Sequence, residues 1–182
     1  MRLNDAMEPD HNAPSAAFER QVRQGCLRAE RLASQLTGGD SDTALRQVRK
    51  TWNETELPSR CAQAWQTIWD AVKAAGPTSP VMTAAERRRY TALPDPVTLF
   101  RGCGPGGEHG WSWTVDRSIA IDFALRYGDE AASDYVPLLC TATVPKSAVL
   151  AYLLIGGEDE VIIDPHVLSP ATLATEPLPR SR

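Results

Sequence analysis

Two carboxylates at the start of an apolar strand are the residues whose types and spacing point most directly to chemistry. Glu158 and Glu160 are separated by one residue and lead into the apolar segment 161 to 163. Since alternate residues of an extended strand share a face, both acids are expected to point the same way. Two like charges that close cost free energy unless a cation or an electron-poor substrate uses them. The alternative is an exposed strand end with solvated acids, because charged residues are mostly exposed.

An arginine continues the apolar face of an earlier strand. In segment 97 to 102, period-two alternation puts Val97, Leu99 and Arg101 on one side. An arginine on that face needs an anion. The anion is either the carboxylate of a structural ion pair or a phosphate, for which the planar guanidinium is well suited.

A short aromatic strand with two hydroxyl groups follows. In segment 110 to 114, Ser112 and Thr114 share one face and the two tryptophans share the other. A packed strand with two incidental hydroxyls is the alternative to a functional reading of this pattern. The next segment predicts a helix that begins at Asp116.

In this order, an arginine on a first strand, Ser-x-Thr on a second and Glu-x-Glu on a later one, the chain resembles the ADP-ribosyltransferases of the Arg-Ser-Glu class. The resemblance covers residues 95 to 168, and residues 1 to 90 take no part in it. It implies an α+β protein in which an N-terminal helical region packs on a split, mostly antiparallel β-sandwich. The motifs are compactly spaced for that family, with ten residues between Arg101 and Ser112 and 47 between Ser112 and Glu160.

The resemblance implies an NAD-dependent mono-ADP-ribosyltransferase that modifies a protein acceptor, with arginine as the expected target, and releases nicotinamide. By resemblance, Glu160 stabilises the ribosyl oxocarbenium ion, Glu158 engages the acceptor and Ser112 orients Glu160. NAD is then a substrate, and no metal is implied. The residues expected to contact NAD are Arg101, Gly102, Ser112, Trp113, Thr114 and Phe123.

Aromatic residues are further candidates for substrate contact. Phe123, Tyr127 and Trp113 are candidates for stacking on the nicotinamide ring, with core packing as the alternative for each. Tyr152 precedes the Gly156-Gly157 pair, where the family places its acceptor-recognising loop, and is a candidate for acceptor contact.

Three other functions remain open from the sequence. Water as the acceptor would make the protein an NAD glycohydrolase that depletes NAD. A catalytically inactive domain of the same fold would use the helical region to bind a partner. A cysteine-dependent hydrolase would need Cys103 beside an oriented imidazole, either His109 or His166.

Composition describes an ordinary globular protein. Hydrophobic residues are 42% and charged residues 23% of the 182 residues. The chain has no run of 18 apolar residues and no apolar segment of a secretory signal at its start. We therefore expect a cytoplasmic protein, or one delivered into a target cell without a signal peptide, with no membrane partner. The four cysteines are widely spaced, which predicts reduced thiols and no zinc site.

The charge is unevenly distributed. Residues 1 to 90 carry a net charge of +2 and residues 91 to 182 one of −6, which together give −4. An acidic catalytic half argues against a nucleic-acid partner and favours a basic acceptor. The expected partners are NAD and an acceptor protein of the host or target cell, with a cognate antitoxin or immunity protein as a further candidate.

Periodicity divides the chain into four parts. Residues 1 to 14 and 170 to 182 are predicted as flexible tails, residues 15 to 92 as a helical region and residues 93 to 169 as the NAD-binding core. Four helices are predicted to begin at Ser15, Asp42, Pro58 and Thr83, the last with a capping box to Glu86. Strands are predicted over 97 to 101, 110 to 114, 138 to 144, 148 to 153 and 158 to 164.

Overall fold

The protein is an α+β structure with an N-terminal helical region and an antiparallel sheet. The computed structural model describes residues 15 to 39, 41 to 130, 135 to 155 and 158 to 179, without the side chains of 127 to 130. Within these ranges, four helices precede the six-stranded sheet and a fifth follows its second strand. The predicted tail 1 to 14, the Gly156-Gly157 pair and the Tyr127 ring lie outside the described residues.

The four N-terminal helices begin and end where the sequence provides capping residues. They are α1 (Ala16–Thr37), α2 (Ser41–Asn53), α3 (Ala62–Ala75) and α4 (Ala84–Ala92). Ser15 accepts a hydrogen bond from the N–H of Phe18 at the start of α1, and Thr83 opens α4 with the predicted capping box. A 3₁₀ turn at Pro58–Cys61 leads into α3. The four predicted helices are therefore confirmed.

Three tryptophans form the centre of the helical core. Trp52 of α2 packs edge-on against Trp65 and Trp69 of α3, with ring centroids 4.6 and 5.2 Å away. Trp65 and Trp69 are fully buried, and only 6% of Trp52 is exposed. The packing fixes the orientation of the Trp52 indole ring.

The sheet contains the five predicted strands and one more. The strands are β1 (Val97–Cys103), β2 (Ser112–Thr114), β3 (Leu138–Val144), β4 (Val149–Ile155), β5 (Glu158–Ile163) and β6 (Leu173–Pro177). Their order is β4-β5-β2-β1-β3-β6, and all neighbouring strands are antiparallel. Helix α5 (Arg117–Glu130) connects β2 to β3, as predicted from Asp116 onward.

The centre of the sheet is its weakest junction. β1 and β2 share one register pair, Phe100 with Thr114, whereas β1 pairs with β3 along its whole length. All six strands nevertheless belong to one hydrogen-bonded sheet. The resemblance implied a sandwich split into two, and the described chain has a single sheet with a narrow central connection.

Helix α5 lies directly on β1, and a glycine makes that approach possible. A Cβ atom at Gly102 would lie 1.8 Å from the carbonyl oxygen of Ala120 and 2.6 Å from the nitrogen of Ala124. Any side chain at this position would therefore collide with the helix backbone. Gly102 sets the distance between α5 and the strand that carries Arg101.

The open edge of β4 is covered by polar side chains of the helical region. Glu86, which is fully buried, accepts a hydrogen bond from the N–H of Leu154 at 2.7 Å. Arg49 donates to the carbonyl oxygen of Leu154 at 2.7 Å and to Glu86 at 3.2 Å. These side chains satisfy backbone groups that an edge strand otherwise leaves unpaired.

The prediction of a flexible tail over residues 170 to 182 is wrong for its central part. β6 pairs with β3 from Leu173 to Pro177, while residues 180 to 182 lie outside the described residues. The strand is mostly exposed and ends in a proline, so it lacks the alternating apolar pattern of a half-buried strand. Backbone pairing with β3, rather than side-chain burial, holds it in place.

None of the described helices is both long enough and apolar enough to cross a bilayer.

We expect Glu86→Ala to lower the free energy of unfolding by about 3 kcal/mol, because it leaves buried backbone donors and Arg49 without their acceptor. Urea denaturation measures this loss. Asp42→Ala, which removes an exposed i,i+4 ion pair with Arg46, is the matched control and should change the stability by less than about 0.5 kcal/mol. Equal effects of the two substitutions would contradict the edge-covering role of Glu86.

The stability should also depend on pH through Glu86. Burial alone would raise the pKa of Glu86, but hydrogen bonds from Leu154 and Thr83 and the charge of Arg49 lower it below its usual value. A lowered folded-state pKa adds stability above the unfolded pKa of about 4.3, and that stability is lost as the pH falls through the folded pKa. Glu86→Gln should therefore flatten the acid side of the stability curve measured by urea denaturation.

Candidate functional site

The two predicted carboxylates lie on β5 beside the strand that carries Ser112 and Thr114. Thr114 is directly opposite Glu160 in the β2–β5 pairing, and Ser112 lies diagonally from it on the same face. Strand alternation puts Glu158 on that face as well. The structure thus brings together the Ser-x-Thr and Glu-x-Glu segments.

A cleft of about 790 Å³ opens over these strands. Residues between 52 and 59 of the helical region form one wall, and the glycine-rich loop 104 to 111 forms another. Phe123 of α5 and the acids of β5 complete its lining. A volume of this size is typical of sites for small molecules and cofactors.

Glu160 is held inside the cleft by a donor from the helical region. The indole N–H of Trp52 lies 3.0 Å from both carboxylate oxygens. Ser112, which lies diagonally across the β2–β5 pair, also favours the ionised form of the carboxylate. Burial raises the pKa of Glu160 above its usual value, as does the charge of Glu158, while the two hydrogen bonds and Arg101 partly oppose this rise.

Glu158 stands in a different environment. It is half-buried at the border of the cleft, and its carboxylate has no hydrogen bond or ion pair with any described residue. Its negative charge acts on Glu160, whose pKa it raises. An unpaired carboxylate at this border is available to a cationic group that enters the cleft.

Arg101 holds the loop between β1 and β2 in place. Its Nε donates to the carbonyl oxygen of Gly107 at 2.8 Å, and its Nη1 donates to that of Ser112 at 2.7 Å. The guanidinium lies against Gly110, where a Cβ would be 2.5 Å from its central carbon. The sequence predicted that Arg101 would bind either a carboxylate or a phosphate, whereas these two contacts are to backbone carbonyl oxygens. Arg101 uses part of its donor set on the backbone and still lines the cleft.

Thr114 has a structural contact of its own. Its hydroxyl accepts a hydrogen bond from the N–H of Asp116 at 3.1 Å, and Asp116 in turn accepts from Ser118 at the start of α5. Only 6% of Thr114 is exposed. The side chain therefore fixes the turn from β2 into α5 while it borders the cleft.

The remaining predicted contacts to NAD differ in accessibility. Trp113 is 2% exposed, and its indole N–H donates to the carbonyl oxygen of Gly110, so it supports the loop from the core. Gly102 lines the cleft beneath α5. Phe123 is half-buried and carries the Arg126 guanidinium 4.8 Å above its ring. Of these residues, Phe123 offers the most accessible aromatic surface.

Tyr152 lies outside the cleft, so the acceptor contact predicted for it from the sequence is wrong. Its side chain is buried, and the residue is 2% exposed. Burial, together with Asp159, raises the pKa of Tyr152 to about 12. The tyrosine therefore does not face an incoming acceptor.

Cys103 is unsuited to be the nucleophile of the cysteine-hydrolase alternative, because its surroundings favour the thiol over the thiolate. Cys103 is buried with its sulfur 3.7 Å from that of Cys140, and its contact there is a second thiol instead of an imidazole. The hydrogen bond with Cys140 and burial raise the pKa of Cys103. His166 is bound to Asp164 at 2.9 Å and does not line the cleft.

Sequence reasoning missed Trp52 as a residue of the site. Its place in the apolar stripe of α2 correctly predicted a core residue, and nothing in that stripe indicates which sheet residue the indole N–H reaches. Among the described residues, no group of three or more His, Cys, Asp or Glu side chains is placed to hold a metal ion.

We expect Arg101→Lys to loosen the glycine-rich loop, because an ammonium group cannot reproduce the two-pronged contact with Gly107 and Ser112. Hydrogen exchange of amides 104 to 111 should accelerate by about tenfold or more, which corresponds to one charge-assisted hydrogen bond. Arg117→Lys alters an exposed surface pair with Glu176 and serves as the control. Unchanged exchange in the loop would show that Arg101 does not brace it.

Comparisons with known proteins return no match: no family model, curated protein or solved structure is significantly similar to this chain. The contacts of the cleft residues are therefore the basis for a functional assignment.

Proposed function

We propose that the protein is an NAD-dependent mono-ADP-ribosyltransferase that transfers ADP-ribose to an arginine side chain of another protein. The observation that carries the proposal is the mostly buried Glu160, whose two oxygens are held at 3.0 Å by Trp52 above a cleft that Ser112 and Arg101 also line. The ADP-ribosyltransferase type of the fold is part of the same proposal.

The chemistry requires a fixed negative charge at the breaking bond. In the reaction, the bond between nicotinamide nitrogen and ribose C1′ breaks, nicotinamide leaves as a neutral molecule and positive charge develops on the ribose. A carboxylate that is already held and partly removed from water stabilises that charge without reorganising. Glu160 meets this requirement, because the Trp52 indole N–H holds both of its oxygens and so fixes its orientation.

The NAD subsite is assigned to the floor of the cleft and the glycine-rich loop. Within the described lining, Arg101 is the sole lysine or arginine and therefore the cation best placed for a pyrophosphate or ribose oxygen. Two of its donors hold the loop, and the remaining N–H groups are available to substrate. Phe123 offers an aromatic surface on the other side.

The acceptor subsite is assigned to the acidic border of the cleft. Glu56 and Glu158 line it together with Glu160, so the border is negative. A guanidinium matches such a border in charge and geometry. Glu158 would engage it and take up the proton released as the new C1′–N bond forms.

We expect Glu160→Gln to reduce nicotinamide release by about 100-fold or more, since the amide keeps the size of the side chain but removes the charge. Calorimetry should find NAD affinity within a few-fold of that of the unchanged protein. Glu30→Gln, on the exposed face of α1, is the control and should keep full activity. Near-normal turnover in Glu160→Gln would refute the site assignment.

We expect Glu158→Gln to lose protein modification while nicotinamide is still released at a measurable rate. Glu158 lies on the same strand face as Glu160, and its carboxylate has no partner among the described residues, so it can serve the acceptor without supporting the scissile bond. Parallel assays of nicotinamide release and of labelled-protein formation from labelled NAD measure the two activities.

The outcomes of these assays separate the candidate functions. Equal loss of both activities in Glu158→Gln would assign this residue to the ribosyl site. Nicotinamide release by the unchanged protein without any labelled protein would identify an NAD glycohydrolase. Absence of both activities, with the fold intact, would favour an interaction domain.

A further inference from the structure

We infer that Trp52 is a positioning residue that keeps the Glu160 carboxylate ionised and correctly oriented, so that the N-terminal helical region supplies part of the active site. The inference rests on the proposed function as far as catalysis is concerned. The contact itself joins α2 to β5 across 108 residues of sequence.

The geometry of the contact favours the charged form of the acid. One N–H lies 3.0 Å from each carboxylate oxygen, so its positive end is shared equally between them. An ionised carboxylate offers equivalent acceptors on both oxygens, whereas a protonated one must place its own hydrogen on one of them. An indole donates only, and it therefore cannot stabilise that hydrogen.

The contact leaves room for substrate. Two carboxylate oxygens provide about four acceptor sites. Trp52 uses one acceptor site on each oxygen, so the carboxylate can still accept a hydrogen bond from a ribose hydroxyl in the cleft.

The indole is well suited to hold the carboxylate because it is tightly packed on both sides. Trp52 is wedged edge-on against Trp65 and Trp69, with interplanar angles of 88° and 73°. It is 6% exposed. A donor that packing fixes in this way costs little further entropy when it holds the acid.

Two charged residues also act on Glu160, and their effects on its ionisation are opposite. Glu158 on the same strand disfavours its charge, and Arg101 on β1 favours it. Glu56 and His109 line the same cleft from the helical region and the glycine-rich loop. Trp52 supplies the direct hydrogen bonds, Ser112 also favours the charged form, and burial works against both.

The chain provides a closely matched pair of substitutions. Trp52→Phe removes the donor but keeps an aromatic ring in the cluster. Trp69→Phe makes the same change in the same cluster, where the buried indole nitrogen has no hydrogen-bond partner among the described residues. Loss of packing should therefore be similar in the two variants. The contact with Glu160 should be lost in Trp52→Phe and unaffected in Trp69→Phe.

The test is a carbon-13 NMR titration of the glutamate carboxyl carbons in the full chain, with the Glu160 signal identified by its absence in Glu160→Gln. We expect the pKa of Glu160 to rise in Trp52→Phe and to stay unchanged in Trp69→Phe. The acid limb of the pH profile of nicotinamide release should move to higher pH in Trp52→Phe alone. Turnover on that limb should fall by about tenfold, the value of one charge-assisted hydrogen bond.

Failure of this inference can be distinguished from failure of the proposed function. An unchanged pKa of Glu160 in folded Trp52→Phe overturns the inference, whatever the activity. A shifted pKa in a protein that never releases nicotinamide supports the role of Trp52 and refutes the enzymatic proposal. If Trp52→Phe does not fold, the indole N–H signal of Trp52 in the unchanged protein decides: it should titrate together with Glu160, and a signal independent of pH overturns the inference.

Discussion

A carboxylate partly removed from water is the constraint on which the site depends. Glu160 lies where burial and Glu158 both disfavour its charge, and groups from elsewhere in the fold oppose them. Trp52 of α2 donates to the carboxylate directly, and Ser112 of β2 also favours its charge. Both contributions depend on how distant elements pack. Helix α2 must dock on the sheet, and β2 must pair with β5 in one register. A one-residue slip of that register would turn Ser112 away from the acid.

The cleft exists because the sheet opens at its centre. Antiparallel pairing from Phe100 and Thr114 would, if continued, place Gly102 opposite Ser112. Arg101 instead donates its side chain to the Ser112 carbonyl, a backbone group that pairing with β1 could otherwise satisfy. The Arg101 guanidinium thereby satisfies the Ser112 carbonyl oxygen where β1 and β2 separate, and it bridges the two strands there. The same arginine is the cation of the cleft lining, so the opening of the sheet and the expected anion contact involve one residue.

The sequence was sufficient for the elements and insufficient for the contacts between them. Helices α1 to α4 and strands β1 to β5 were predictable because their apolar periodicity and capping residues are local signals. β6 was missed because an exposed edge strand is held by backbone pairing and needs no apolar alternation. Tyr152 was assigned to the acceptor from its position in the chain, yet burial determines its contacts. The Trp52 contact depends on how two distant elements dock, which no local pattern records.

The docking of α2 explains why the helical region and the sheet act as one site. Arg49 and Trp52 are three residues apart on α2 and therefore lie on neighbouring positions of one helix face. Arg49 binds the carbonyl of Leu154 at the outer edge of β4, and Trp52 binds Glu160, whose partner on β4 is Leu153. One face of α2 thus contacts the β4–β5 pair twice, at the backbone of β4 through Arg49 and at Glu160 of β5 through Trp52. The covering of the edge by Arg49 and Glu86 limits how far α2 can shift, and it thereby helps to hold the indole at the distance that Glu160 requires.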